Sequence, residues 1–309
     1  MSQLPDALHV GFSKCASTFL QSFFNEHPSV FLVNQSHFFS PFEYRHYDSG
    51  KEVYSALFRD AEPEKVKIES DEHIVLPLFH PVLRAAATTL ASVKEVSGKI
   101  RDIQPNAKII IVIRNQVDLI ASRYSEYILG GGKSDFDLFV KEYLRCSRDG
   151  VNYYQNYYSQ IIDIFNNDFL PNRVLVLLQE ELAHDEAKIL RQLCGFLNIG
   201  VPQPHRRGLR SRRVGLSDLG IKVVRSFNNA VIERQEQSYT KAVAKIPYPF
   251  YKASLRAMRL VDYYLPKSVK GDKNKVLTAD IVERIRGEFR EDNTRLAELL
   301  GKDLASLGY

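Results

Sequence analysis

Lys14 lies in the segment Val10 to Gln21, VGFSKCASTFLQ, three residues beyond Gly11 and beside the hydroxyls of Ser13, Ser17 and Thr18. A lysine among small and hydroxylated residues suits an anion. At a strand-to-helix turn the first helical N–H groups lack intrahelical partners, hydroxyls add donors, and the ammonium supplies a mobile point charge. The candidate set is Ser13, Lys14, Cys15, Ala16, Ser17 and Thr18. Cys15 has two readings: a thiol whose pKa falls beside Lys14 at a helix N-terminus, or a small residue filling a tight turn. The triphosphate loop GxxxxGK[ST] needs a glycine directly before its lysine, and GFSKCAST has none.

A second constellation is RNQVDLIAS, Arg114 to Ser122, which follows the apolar run Ile109 to Ile113. A guanidinium at the end of such a strand grips two oxygens of a phosphate monoester at once. In a phosphoryl-transfer NTPase the analogous strand ends in an aspartate that helps to hold Mg²⁺, so a cation here argues against a metal. Ser122 sits one turn beyond Asp118. For proton transfer the candidates are His37, in NQSHFF, and Glu69, in the cluster Glu69, Asp71, Glu72 and His73. His37, with an intrinsic pKa near about 6.5, reads either as a base or as an orienting or core residue. The acidic cluster reads either as a solvated turn or as groups that take a proton or grip a polar substrate.

These residues need a strand-turn-helix frame to hold them. Ala7 to Val10 is a short apolar strand and Ser17 to Glu26 an amphipathic helix. Val30 to Val33 and Asn172 to Leu178 read as further strands, and Ile109 to Ile113 as one buried on both faces. Pro81 to Asp102 is helical by composition. Asn115 and Asp185 are expected N-caps, and Glu180 and Glu181 should fix a strand's exit. Gly130 to Gly132 is either a mobile segment over a substrate or a plain helix-to-helix connection. Tyr153, Tyr154, Tyr157 and Tyr158 are core residues by default. Leu216 to Leu265 is expected to form two basic helices divided at Pro247 and Pro249.

In this order the motifs resemble those of the sulfotransferases, which use 3′-phosphoadenosine 5′-phosphosulfate (PAPS). GFSKCAST is similar to their 5′-phosphosulfate loop GxxKxxST, and RNQVDLIAS to their 3′-phosphate motif RNPxDRAxS, with Gln116, Leu119 and Ile120 departing from it. The heparan-modifying branch reads KExHFFD where this chain has NQSHFFS. Gln35 thus replaces a general-base glutamate and cannot take a proton. Glu64 to Leu76 resembles the family's third strand, and of the EKSPxY-like sequence that ends it only Glu69 matches. VLVLLQEELAHDEAKILRQLCGFLNI and DNTRLAELLGKDLASLGY resemble later stretches, the second with Leu307 in place of a tryptophan.

The resemblance implies that Ser13 to Thr18 hold the 5′ side of PAPS and that Arg114 and Ser122 hold its 3′-phosphate. Lys14 would stabilise the leaving oxygen, and His37 or Glu69 would take the acceptor's proton. It further implies a late basic loop over the nucleotide, with Arg207, Arg210, Arg212 and Arg213 as candidates. The expected fold is one α/β domain over 1–309, with a P-loop-like central parallel sheet of about five strands, flanking helices and a C-terminal helical subdomain. Acceptor specificity is expected in 214–270. No metal is expected. The rivals are a P-loop-like kinase using ATP and a non-catalytic nucleotide- or membrane-surface-binding protein.

A chain of 309 residues, 44% hydrophobic and 26% charged, has ample core for one large domain. A net charge of +5, with acids dispersed among bases, does not imply nucleic acid. The densest basic run, PHRRGLRSRR, has no Phe, Tyr or Trp for stacking. Cys15, Cys146 and Cys194 form neither a disulfide framework nor a CxxC site. With no long apolar run and no secretion signal, the expected compartment is the cytoplasm. The partner is a small-molecule, carbohydrate or lipid acceptor. The basic, aromatic stretch around Tyr248, Phe250, Tyr263 and Tyr264 reads either as a solvated face or as a contact with an anionic membrane surface. The oligomeric state is open.

Overall fold

Five short, β-branched runs build the centre of the protein. They are β1 (Ala7–Gly11), β2 (Val30–Asn34), β3 (Val66–Ser70), β4 (Lys108–Ile113) and β5 (Val174–Leu178). The computed structural model describes residues 4–36, 38–39, 50–72, 74–75, 90–148, 156–202, 215–235, 242–271 and 276–309. The strands pair in the order β2-β3-β1-β4-β5, all parallel, with Ala7 of β1 opposite Ile68 on one side and Lys108 on the other. Every residue of β1 is buried, as are Ile109 to Ile113 of β4, which is why these runs lack alternation. β5 is shorter than its sequence suggests, because Pro171–Arg173 forms a 3₁₀ turn ahead of it.

Helices flank the sheet: α1 (Ser17–Glu26), α2 (Gly50–Ala56), α3 (Leu90–Ile103), α4 (Gln116–Leu129), α5 (Phe136–Arg148), α6 (Tyr158–Asp168), α7 (Gln179–His184) and α8 (Glu186–Leu197). α1 inserts Leu20, Phe23 and Phe24 into the core around the sheet. Asp185 caps α8 by accepting from the Lys188 amide at 2.9 Å, and Asn198 closes it in the left-handed conformation.

The C-terminal part contains α9 (Asp218–Val231), β6 (Ile232–Gln235), β7 (Ala242–Ala244), α10 (Tyr248–Tyr264), α11 (Lys267–Lys270) and α12 (Ala279–Leu300). The expected pair of helices is thus interrupted by an antiparallel ribbon, β6 with β7, that the polar sequence IERQ did not announce. α9, α10 and α12 share a second core with α4 and α5, built on Tyr124, Ile128, Phe139, Val224, Leu255 and Phe289. α4 therefore joins the two cores. Gly130 to Gly132 make a pinned connection: the Gly132 amide donates to the Tyr127 carbonyl at 2.9 Å, and the Tyr127 hydroxyl accepts from the Ser134 amide at 3.1 Å. A Cβ at Gly132 would strike the Tyr127 ring.

Candidate functional site

In a parallel sheet with this strand order, ligands collect at the C-terminal strand ends, where connections leave β1 and β4 in opposite directions. The loop after β1 begins with the Phe12 amide donating to the Val112 carbonyl of β4 at 2.8 Å. Gly11 is required there: its φ is +156°, and a Cβ would strike Val75 Cγ2. Lys14 and Ala16 both adopt left-handed conformations, φ 68° and 65°. Such a run aims successive N–H groups into a concavity that favours anions. Ala16 occupies the N-cap of α1 without any side-chain cap. Ser17 donates its hydroxyl to the Phe12 carbonyl at 3.2 Å and braces the loop from inside.

Cys15 is fully buried, and burial pushes its thiol well above the ordinary range while Arg114 and Arg123 pull the other way. The reading of an activated thiol is therefore corrected. Cys15 fills the turn, its amide donating to the Phe12 carbonyl at 3.2 Å.

At the end of β4 the backbone is clamped. The Tyr158 hydroxyl donates to the Arg114 carbonyl at 2.8 Å, and the Asn115 amide donates to Glu180 at 2.9 Å. Asn115 caps α4, accepting from the Asp118 amide at 2.9 Å, and its own amide group donates to Glu180 at 2.9 Å. Tyr309 donates its hydroxyl to the other Glu180 oxygen at 3.1 Å. Gln116, which departs from the family's proline, exchanges amide hydrogen bonds of 2.8 and 3.1 Å with Asn293 of α12. Among the described residues the Arg114 guanidinium makes only a loose contact, 3.6 Å to Asp118. Ser122 is half-buried one turn further along α4.

The two corners meet at Glu126, one turn beyond Ser122. Its carboxylate lies 3.0 Å from Lys14 Nζ and 3.9 Å from an Arg123 guanidinium nitrogen. Arg123 Nε is buried, with no hydrogen-bond partner among the described residues. A buried guanidinium N–H left without an acceptor is costly, and a bound phosphate oxygen would satisfy it. Neither Arg123 nor Glu126 stood out in the sequence, because at i and i+3 they look like an ordinary surface ion pair. The one available signal was their place immediately after Ser122.

Glu69, at the end of β3, is not in a solvated turn. It is fully buried, with Ser36 donating to one carboxylate oxygen and Tyr54 of α2 to the other. Burial raises its pKa to about 7, against the pull of those two hydroxyls, and Asp71 adds to the rise. On the next residue, Ser70, the hydroxyl lies 2.8 Å from His9 Nδ1. Burial lowers the His9 pKa to about 4, and its Nε2 has no partner among the described residues.

The structure thus brings Ser13 to Thr18, Arg114 and Ser122 to adjacent strand ends, with Glu69 at the end of β3 on the other side of β1. His37, His73, Tyr153, Tyr154, Arg207, Arg210, Arg212 and Arg213 lie outside the described residues. A surface depression lined by Asp6, Lys67, Lys108 and Arg173 lies at the opposite end of the strands and contains none of the candidates.

A model described as the sulfotransferase family matches residues 5–203, β1 through α8, and so covers both basic corners. Among solved structures, a sulfotransferase from Alicyclobacillus acidocaldarius aligns with a TM-score of 0.60 and 18% identity over 99% of each chain. Mouse sulfotransferase SULT7A1, solved in complex with PAP, aligns at 0.45 and 17% identity over 93% of this chain and 83% of that one. No curated protein matches the sequence.

Proposed function

Because the chain belongs to the sulfotransferase family, we propose that it transfers a sulfuryl group from PAPS to a hydroxyl or amine of a small-molecule, carbohydrate or lipid-linked acceptor. What carries this reading is the convergence at Glu126. One carboxylate touches Lys14 of the β1 loop and lies within reach of Arg123 on α4, so both corners fall within the span of a single nucleotide. The orphaned Arg123 Nε supports it, since the donor fits an anion not yet supplied by the protein.

In this reading the loop amides of Ser13 to Thr18 hold the 5′-phosphosulfate, and Arg114 with Ser122 holds the 3′-phosphate. Arg207, Arg210, Arg212 and Arg213 are proposed to close over the nucleotide. The sulfur–oxygen bond to the 5′-phosphate breaks as a new one forms to the acceptor atom. Lys14 neutralises charge developing on the departing oxygen, and 3′-phosphoadenosine 5′-phosphate (PAP) leaves. The acceptor's proton goes to His37 or Glu69. A carboxyl poised near neutrality supports Glu69, and its complete burial means that the proton would have to reach it across the Ser36 or Tyr54 hydroxyl. Residues 214–270 are proposed to select the acceptor, and no metal is assigned a role.

Calorimetry with PAP and with ADP, each with and without Mg²⁺, tests the nucleotide. PAP should bind more tightly without Mg²⁺, and Arg114→Met should erase the preference. Equal binding of the two nucleotides would remove the 3′-phosphate argument, and Mg²⁺-dependent ATP turnover would make the protein a kinase. Transfer from labelled PAPS across sugars, phenols and lipids then separates an enzyme from a binder. Comparing Glu69→Gln with His37→Asn in that assay identifies the base, whose loss alone should flatten the acidic limb of the pH–rate profile.

A further inference from the structure

α10 has an outward surface remote from the strand ends that are proposed to hold the nucleotide. Tyr251, Leu255 and Asp262 mark its buried side, turned toward the second core. At 100° per residue the opposite side carries Leu260, Ala253, Ala257 and Tyr264, with Phe250 and Val261 at its margin. These are not covered: Phe250 is 68% exposed, Leu260 59%, Val261 61% and Tyr264 75%. Isolated exposed apolar residues need no explanation, but an apolar stripe along one helix that carries four exposed large side chains marks a binding surface.

The charges beside the stripe have one sign. Lys252, Arg256 and Arg259 are all exposed, and among the described residues no carboxylate pairs with them. The only acid on α10, Asp262, is turned inward, accepting hydrogen bonds from the Ser217 hydroxyl and amide. Tyr263, 64% exposed, extends the aromatic end of the helix, and Lys270 lies 6.0 Å from its ring centre. Aromatic residues beside cations at a helix end suit the headgroup level of a bilayer.

We propose that the outward face of α10 seats the protein on an anionic lipid bilayer, the apolar stripe entering the interface and Lys252, Arg256 and Arg259 pairing with lipid phosphates. The helix lies in the surface. No helix among the described residues is long and apolar enough to cross a membrane. A second copy of the chain is the poorer occupant, because a two-fold contact would set Arg256 and Arg259 against themselves with no carboxylate between. Anionic headgroups supply that charge. The docking is independent of which nucleotide the strand ends hold.

The test is co-sedimentation of the full chain with vesicles of phosphatidylcholine alone and of phosphatidylcholine mixed with phosphatidylglycerol. Binding is expected to the mixed vesicles and to weaken as salt rises. The triple variant Phe250→Ser, Leu260→Ser, Tyr264→Ser should lower the partition by about tenfold or more, and so should Arg256→Glu with Arg259→Glu. Since the altered side chains are exposed, circular dichroism and PAP binding should match the unaltered protein, which separates lost docking from lost fold. Failure to bind either vesicle, equal partition into both, or retention by either variant overturns the proposal. So does a dimer in sedimentation velocity that both variants dissociate.

Discussion

Replacing Glu126 by glutamine should tighten the binding of PAP. The Glu126 carboxylate sits 3.0 Å from Lys14, the residue proposed to meet the 5′-phosphosulfate, so the anion must displace it. Both partners are partly exposed, and an ion pair of this kind contributes about 0.2 to 1 kcal/mol. A retained carboxylate some ~6 Å from the bound anion adds a repulsion of about 0.7 kcal/mol in a water-like medium. Removing both effects gives about 0.9 to 1.7 kcal/mol, roughly a five- to eighteenfold gain in affinity. Calorimetric titration of PAP into the unaltered protein and Glu126→Gln measures it, and the gain should shrink as salt screens the charges. In a Lys14→Met background the substitution should matter less, because the competing pair no longer exists. An unchanged or weakened affinity in Glu126→Gln refutes the reasoning, since it would mean that the anion does not compete for Lys14.

Arg123→Met should weaken PAP by at least about tenfold, the cost of one hydrogen bond to a charged group, as read by the same titration. If affinity is unaffected, the orphaned Nε does not face the nucleotide. Glu69→Gln should change how stability depends on pH: the folded carboxyl, raised to about 7, contributes stability that is full below about 4.5 and lost as pH rises through 7. Urea unfolding should therefore show the variant gaining about 3 kcal/mol relative to the unaltered protein between pH 4.5 and 8. His9, lowered to about 4, has the opposite slope, losing its contribution as pH falls below about 6.5, so the variant's own stability should climb across that interval while the unaltered protein's stays flatter. Asn115→Ala removes the cap of α4 and one of the donors that hold Glu180, and thermal unfolding should register a loss of about 1 to 2 kcal/mol. The Asn115 backbone amide still donates to Glu180 in that variant, so a much larger loss would mean that Glu180 depends on the side chain for its place.

The sheet was legible because burial on both faces leaves Ile109 to Ile113 of β4 an unbroken apolar run and β1 with His9 as its one polar residue, and because the flanking helix caps Asn115 and Asp185 obey local rules. The ribbon of β6 and β7 was not. Glu233, Arg234 and Gln235 show no alternation, and what places them in a strand is the partner Ala242–Ala244 rather than their own preference. Cys15 and Glu69 each kept two readings in the sequence, because the neighbours of a residue in the chain do not say what covers it. Tyr54 arrives from α2 to cover Glu69, a segment remote in sequence, whereas Cys15 is fully buried within its own turn, where its amide bonds the Phe12 carbonyl.

Glu126 sharpens that distinction. Lys14 and Arg114 could be picked out singly because each follows an apolar strand, and a cation at a strand end has a chemical reading of its own. Arg123 and Glu126 have none in isolation, since a pair three residues apart on a helix is what most solvated helices carry. Their significance comes from the approach of the β1 loop to α4, which is fixed by the pairing of β1 with β4 and the Phe12 amide reaching Val112. With that pairing in place, the Glu126 carboxylate on the third turn of α4 lies against the loop lysine. A nucleotide bound as proposed has to compete with the protein's own anion, since Lys14 already pairs with Glu126 while Arg123 Nε has no partner among the described residues. Affinity at such a site is set by the difference between two anions rather than by the number of cations, and that difference is a property of the fold which no single motif contains.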